Sequence, residues 1–597
     1  MILTDIQNKA ANFKDGPCLV LAVPGAGKTT MLLERIKNLS KITKVDRVLT
    51  LTFSKTQAID MRNRYSKKDA NIMTIHAFCY LIIRNYLKKY NRELKLLESD
   101  DIYNKYHLIR DIYQDINKKK ISREDSLNFF TETSFMKNAM LDERYLKNVR
   151  IKNIEKIYHS YEEFKKKNSY IDFDDMQTLA LRLLRENPKL LASIHRKYDY
   201  FQLDEGQDTS LLQFQILKEI VGLNNNFMVV ADDDQSIYSF RAADPSYLLN
   251  FKDHYPDAHI IIMNENHRSS GNIASLANDF IKDNKLRYEK NIKSNKKPGA
   301  KIITKTLKDT KAQYGYIRSQ LDNNKTNAIL FRNNISAINL VSFFMEDGID
   351  FNINDDFLDF FKSQIIEDFF DIIKFSEDFM DVESFEKIYY KIKTYLKKSE
   401  IESLKTKASN IDVFDFFYEK LDYDKSNTLY DIEKKLKHIR KLDLSRKISY
   451  IYKYLGYKEY ASYKSHKFAE EVMNKDLFVE SLINFTKGLD NTDDFYKKLV
   501  GLQNKLRISQ PSNLFLQTIH RSKGLEYDRV FVTDLIKNEF PIIDFEENPL
   551  KNLEEERRVF YVAMTRAREN LYLLSLKKRN NKKAQPSEFF TRARSLL

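Results

Sequence analysis

At 597 residues the chain is too long for a single hydrophobic core, and at ~150 residues per domain it divides into about four lobes. Its net charge of +15 favours a polyanionic partner, although an AT-rich coding sequence that inflates Lys, Asn and Ile, with no Trp, gives the same balance. Two cysteines, Cys18 and Cys79, cannot by themselves build a four-thiolate zinc or iron–sulfur site, and they argue against a disulfide framework, which fits a reducing cytoplasmic compartment.

From the N-terminus, Met1-Ile2-Leu3-Thr4-Asp5-Ile6-Gln7 turns polar too early for a signal peptide. The apolar run Cys18–Val23 is a predicted strand. It leads into Ala22-Val23-Pro24-Gly25-Ala26-Gly27-Lys28-Thr29-Thr30 and a helical run from Met31. This order suits a phosphate-binding loop, because glycines let backbone N–H groups close around phosphates at a helix N-terminus. Lys28 is expected to reach the β- and γ-phosphates of ATP, and the Thr29 hydroxyl to ligate Mg²⁺. The strict pattern has Gly where Ala22 stands, and a chance glycine-rich turn is the other reading. Val48–Phe53 is a second strand. Residues 77–168 are poor in Gly and Pro and have helical spacing, so they read as a helical insert. Within it, Lys118-Lys119-Lys120 and Lys165-Lys166-Lys167 read as solvated faces. Tyr200–Leu203 is a strand ending in Asp204 and Glu205, at the carboxyl edge of the sheet beside the phosphate loop. Asp204 is expected in the Mg²⁺ shell. Glu205 is expected to orient or deprotonate an attacking water, which favours hydrolysis over transfer.

The strand Phe227–Val230 then delivers Ala231-Asp232-Asp233-Asp234-Gln235-Ser236-Ile237-Tyr238-Ser239-Phe240-Arg241. Gln235 can hold a phosphate or a water, while Tyr238, Phe240 and Arg241 can stack on bases. The segment therefore suits a mechanical link between phosphate state and base position. The alternative is a solvated acidic turn with packed aromatics. Ile260–Met263 closes this block of strands. A second block holds Ala328–Phe331, Leu514–Ile519, Val530–Val532 and Leu571–Leu574, interrupted by a helical insert over residues 376–510. Strand-like runs separated by helical periodicity imply an α/β fold of two parallel sheets, each with a mainly helical insertion. No run is long and uncharged enough to span a bilayer.

The motifs in order resemble those of a superfamily 1 helicase of the UvrD/Rep/PcrA type. Thr4-Asp5-Ile6-Gln7 resembles its adenine-reading glutamine motif. Thr52-Phe53-Ser54-Lys55 and Thr74-Ile75-His76-Ala77-Phe78 resemble motifs that touch single-stranded DNA. Asp172-Phe173-Asp174-Asp175-Met176 is similar to the segment re-entering the first core. Asp204-Glu205-Gly206-Gln207-Asp208-Thr209 resembles the Walker B motif, and the 231–241 segment the third motif. Asn266-His267-Arg268-Ser269, Ala328-Ile329-Leu330-Phe331-Arg332, the run Thr518 to Tyr527, and Glu555-Glu556-Arg557-Arg558 with Tyr561 to Ala567 resemble the later motifs. The resemblance implies two RecA-like cores. Residues 1–76 and 169–265 would form the first, with 77–168 inserted. Residues 266–375 and 511–597 would form the second, with 376–510 inserted. It implies Gln235 as γ-phosphate sensor, and Arg268 and Arg566 as charge-stabilising arginines reaching from the second core. It also implies Gln7 and Glu526 as nucleotide contacts. DNA contacts implied are Phe53, His76, Tyr238, Phe240, Arg241, Arg332 and His520. ATP would bridge the cores, hydrolysis would part them, and the polarity implied is 3′-to-5′.

Four departures from the family stand out. His267 replaces a tyrosine that stacks on adenine, and Thr30 replaces an arginine beside the base. Residues 390–404 lack the Gly-Ile-Gly type turn with which relatives grip duplex DNA. The chain stops soon after Phe590, without the partner-binding tail or nuclease domain of some relatives. The expected function is an ATP-dependent DNA helicase in repair or replication restart, acting on single-stranded or tailed duplex DNA. The alternative is a DNA-dependent ATPase subunit that regulates a partner such as a nuclease in anti-phage defence. A P-loop kinase or transporter ATPase does not fit the second-core motifs.

Overall fold

The computed structural model describes residues 3–65, 69–99, 103–222, 226–296, 301–407, 411–464, 469–508, 512–543, 548–580 and 582–597. It divides into two units, Met1–Ala300 with Arg557–Arg568, and Lys301–Glu556 with Glu569–Leu597.

Unit 1 is built on a six-stranded sheet of β1 (Cys18–Ala22), β2 (Val48–Thr52), β3 (Asn71–Thr74), β4 (Tyr200–Leu203), β5 (Phe227–Ala231) and β6 (His259–Met263), in the order β3-β2-β4-β5-β1-β6. All neighbouring pairs are parallel. The four central strands are buried along their whole length, which is why they read as continuous apolar runs. The alternation of side chains splits each strand between two cores. Leu19, Leu21, Leu49, Leu51, Phe201 and Val229 pack on one face. Cys18, Val20, Ala22, Tyr200, Met228 and Val230 pack on the other.

The first insert is mainly helical, with helices Lys105–Asn117, Arg123–Asn138 and Ile154–Lys167 around Ile109, Phe129, Met136, Ile157 and Tyr161. One expectation fails here. Lys166 and Lys167 are exposed, but Lys165 is buried, with Nζ 2.7 Å from Asp172, 2.6 Å from Asp175 and 2.9 Å from Glu162. Asp172 and Asp175 form the capping box of the Phe173–Glu186 helix, so this lysine neutralises the acids that start the helix.

Unit 2 carries a second six-stranded sheet of β7 (Ile302–Leu307), β8 (Asn327–Phe331), β9 (Asn352–Ile353), β10 (Leu514–Thr518), β11 (Tyr527–Val532) and β12 (Ala567–Leu576), in the order β7-β12-β11-β8-β10-β9. The pairs β7/β12, β8/β10, β8/β11 and β9/β10 are parallel. Its insert is helical, including Tyr423–Ile439, Leu444–Tyr454 and Ala469–Phe485. The expected boundary at residue 510 lies outside the described residues. In the glycine-free 390–404 stretch, Lys393 and Tyr395 both take φ of 56°, on either side of a buried Thr394. A turn with two left-handed residues is thus made without glycine.

Candidate nucleotide site and nucleic-acid face

The phosphate loop follows β1 directly. Gly25 and Gly27 have φ of 72° and 77°, which glycine alone adopts at little cost. Space demands glycine as well. A Cβ on Gly25 would lie 2.6 Å from the Arg268 Cβ, and one on Gly27 2.6 Å from the Gln7 Nε2. Gln7 closes a capping box with Thr4 and donates from Nε2 to the Ala26 carbonyl at 2.9 Å, which ties the first helix to the loop. The Lys28–Leu39 helix has Gly27 at its N-cap, no side-chain cap and no acid in its first turn. Its first N–H groups therefore face the loop as anion donors. The Thr30 hydroxyl accepts from Arg64 Nη2 at 2.9 Å. Position 30 lacks the arginine that the resemblance implies, yet Arg64 brings a guanidinium to it from another helix.

Lys28 Nζ lies 3.0 Å from Glu205 Oε2. Burial opposes the lysine charge, but the carboxylates of Glu205, Asp204 and Asp232 outweigh it and raise the ammonium above its ordinary value. Burial, then the Glu205 charge, push the Asp204 carboxyl up to about 7 against the pull of Lys28. The Asp204 carboxylate and the Thr29 hydroxyl are hard oxygen donors of the kind Mg²⁺ takes beside phosphate oxygens. A cation there would relieve the two crowded carboxyl groups. Glu205 sits at φ 54°, a left-handed conformation costing a non-glycine residue ~1–2 kcal/mol. Lys28 and Gln207, whose Nε2 donates to Glu205 Oε2 at 2.5 Å, hold it there.

From Gln207 the hydrogen bonds continue. Its Oε1 accepts the Asp232 N–H at 3.0 Å, and Gln235 Nε2 donates to Asp232 Oδ2 at 2.7 Å. Arg566 Nη2 donates to Gln235 Oε1 at 3.1 Å, and Arg268 Nη1 donates to the Thr565 carbonyl at 3.2 Å. Lys28, Asp204, Glu205, Gln235, Arg268 and Arg566 thus all belong to unit 1, together with Gly25, Gly27 and Gln7.

Three residues past Gln235 the aromatic face begins. The Phe53 and Tyr238 rings stack with centroids 5.5 Å apart at 18°, and Tyr238 meets Phe240 at 5.9 Å. The Arg241 guanidinium lies 5.5 Å from the Tyr238 centroid and 5.6 Å from that of Phe240. Phe240 is 52% exposed, so it is no core residue. Phe53, Lys55, His76, Tyr80, Phe173 and Met176 line a cavity of about 790 Å³. Burial lowers the His76 imidazole below its ordinary value, and Gln177 Nε2 lies 3.0 Å from its Nε2. Tyr80 was not recognised from sequence and Phe173 was given no site role, because an aromatic on a helix reads equally as core.

The remaining expected residues belong to unit 2. Glu526 and His520 are partly exposed beyond β10, and Arg332 follows β8. The Arg332 guanidinium is held by Glu556, at 2.9 Å from Nε and 2.6 Å from Nη2.

A family model described as the UvrD/REP helicase N-terminal domain matches residues 3–256, and one described as the UvrD-like helicase C-terminal domain matches residues 261–578. The chain belongs to the UvrD-like helicase family. This helicase is 29% identical to the ATP-dependent DNA helicase Rep of Buchnera aphidicola subsp. Acyrthosiphon pisum, over 97% of this chain and 95% of the relative. It is 29% identical to a probable DNA helicase II homolog of Mycoplasma capricolum, over 96% and 84% respectively. It is 27% identical to the ATP-dependent DNA helicase PcrA of Bacillus subtilis, over 97% and 83%. As a UvrD-like helicase with a phosphate loop it is an ATP-hydrolysing DNA helicase, and ATP with Mg²⁺ is typical of the family. Among the described residues no helix is long and apolar enough to cross a membrane.

Proposed function

We propose that this helicase steps 3′-to-5′ along single-stranded DNA in the cytoplasm, with ATP·Mg²⁺ at the Gly25–Lys28 loop, in repair or replication restart. The observation that carries this reading is the unbroken line of polar contacts Lys28–Glu205–Gln207–Asp232–Gln235–Arg566, in which Gln235 lies three residues before the Tyr238–Phe240 face. Lys28 and the first N–H groups of its helix hold the β- and γ-phosphates. Asp204 and Thr29 hold Mg²⁺, which when bound neutralises phosphate charge. Glu205 orients the attacking water and accepts its proton. Arg268 and Arg566 stabilise charge on the transferring group with a rigid fork of donors. Gln235 registers the presence of the γ-phosphate and passes it through its own short segment to the rings that bases stack on.

The test measures ATP turnover with and without single-stranded DNA, then unwinding of 3′-tailed and 5′-tailed duplexes. Wild-type protein should be stimulated by DNA and should open the 3′-tailed duplex. Glu205→Gln should lower turnover by about 10²–10⁴-fold, the usual contribution of a general base. Near-normal hydrolysis in that variant sinks the site assignment. Stimulation without unwinding of either duplex favours instead an ATPase subunit that regulates a partner such as a nuclease.

A further inference from the structure

Behind the proposed sensor lies a buried ionic cluster. Lys290 is 2% exposed, and its Nζ lies 2.7 Å from Asp232 Oδ1, 2.5 Å from Asp233 Oδ1 and 2.9 Å from Asp234 Oδ2. The ammonium donates to Asp232 and Asp233 and forms an ion pair with Asp234. Arg287 closes the cluster with a bidentate fork on Asp234, at 2.8 Å from Nε and 2.7 Å from Nη2. The Tyr288 backbone N–H donates to Asp233 Oδ2 at 2.8 Å. The three acids could be read as a cation cage, but Lys290 and Arg287 already occupy their oxygens.

Asp232 is the shared element. One of its oxygens takes Lys290, the other takes the Gln235 amide, and its N–H is held by Gln207, which also grips Glu205. The Gln235 side chain therefore has its donor end fixed by an acid whose charge is balanced from behind. Asp234 precedes Gln235 directly, and Arg287 with Lys290 anchors it where the chain sets out towards Tyr238 and Phe240.

We propose that Lys290 is a positioning residue that couples the nucleotide site to the base-stacking face by holding Asp232, and through it Gln235, in one arrangement. Its ammonium contacts carboxylates, and it acts through Asp232. Without its charge, Asp232 must find another buried partner or take a proton, and the Gln235 amide loses its fixed acceptor. This inference rests on the DNA-motor reading above.

The test compares Lys290→Met, Asp233→Asn and the double variant Lys290→Met/Asp232→Asn with wild type. The double variant removes the lysine and one carboxylate together, so it leaves fewer unpaired charges if the single change fails to fold. The readouts are the ratio of ATP turnover with and without single-stranded DNA, the KM for ATP, and thermal melting. In Lys290→Met, or in the double variant where the single does not fold, the ratio should fall by about tenfold or more, within the range of site-to-site coupling, while KM moves less than about threefold. The double variant should lose no more of the ratio than Lys290→Met alone, because both changes act through one contact. Asp233→Asn should keep the ratio, since the Gln235 amide donates to Asp232. A ratio preserved without Lys290, or lost equally in Asp233→Asn, overturns the proposal. A wild-type protein that DNA does not stimulate overturns the motor reading itself, and this inference with it.

Discussion

Two carboxyl groups of this helicase, Asp204 and Glu539, are held near neutrality, and in both burial is the first cause. Glu539 lines a cavity of about 330 Å³ in unit 2, with Arg579 Nε 3.2 Å from its Oε1. Burial raises it from 4.5 to about 7 although Arg579 pulls the other way. Below the lower value it is protonated in both folded and unfolded chains. Between the two the unfolded chain gives up its proton first, so stability falls as pH rises. Above the higher value the cost is constant. Glu539→Gln removes that dependence. Its stability relative to wild type should improve between pH 5 and pH 8 by on the order of 2–3 kcal/mol, read from melting at each pH. A difference that stays flat with pH refutes the account. At this scale the sequence made some residues legible and hid others. Lys28, Glu205 and Gln235 stand where local spacing after a strand demands their chemistry. Gln207 stood inside a quoted motif without a role. Arg64, Arg287 and Lys290 carried no local signal among 100 lysines and arginines. Their partners lie 34, 53 and 58 residues away.

Most elements were legible where they are buried on both faces. The nine apolar runs recognised in the sequence all became strands: a central parallel strand has no polar face to break its pattern, and the partly exposed edge strand β6 was legible because Ile260–Met263 is apolar throughout. The edge strands β3, β7 and β9 were not recognised. Asn71–Thr74 and Ile302–Leu307 are half-exposed and carry polar residues, so their periodicity is faint. Charge runs misled for a related reason. A lysine triplet looks uniform in sequence, but a helix turns one member inward. Lys165 sits on the buried Asp172 and the half-buried Asp175 while Lys166 and Lys167 face solvent. Lys165→Ala should cost about 3–5 kcal/mol, the usual penalty for leaving a buried charge unpaired. Lys166→Ala and Lys167→Ala should each stay within about 0.5 kcal/mol. Equal melting of the three variants would show that the burial of Lys165 contributes nothing. The glycine-free turn at Lys393 and Tyr395 was hidden differently: glycine and asparagine signal left-handed positions in a sequence, whereas lysine and tyrosine do not.

For the whole molecule, the order of strands matters more than their number. The sheet of unit 1 uses nothing beyond Met263, whereas the sheet of unit 2 needs β12, at residues 567–576, between β7 and β11. A chain that stops before residue 567 leaves β7 and β11 with open edges where β12 belongs. Ribosome-stalled chains should therefore resist protease over the unit 1 sheet once residue 263 has emerged. Protection over residues 302–532 should appear only after residue 576. Early protection of the second region would contradict this.

The hydrogen bond from Arg566 to Gln235 has a consequence in time. During synthesis the phosphate loop, Glu205 and Gln235 exist long before their arginine. At ~5–20 residues per second, the ribosome needs roughly 15–70 s to travel from one to the other. Throughout that interval the nascent protein has a nucleotide loop but no Arg566 to act with it. On the role proposed for Arg566, hydrolysis becomes available only when the last strand of the second sheet is being made, and a chain stalled before residue 566 should show no DNA-stimulated ATP turnover.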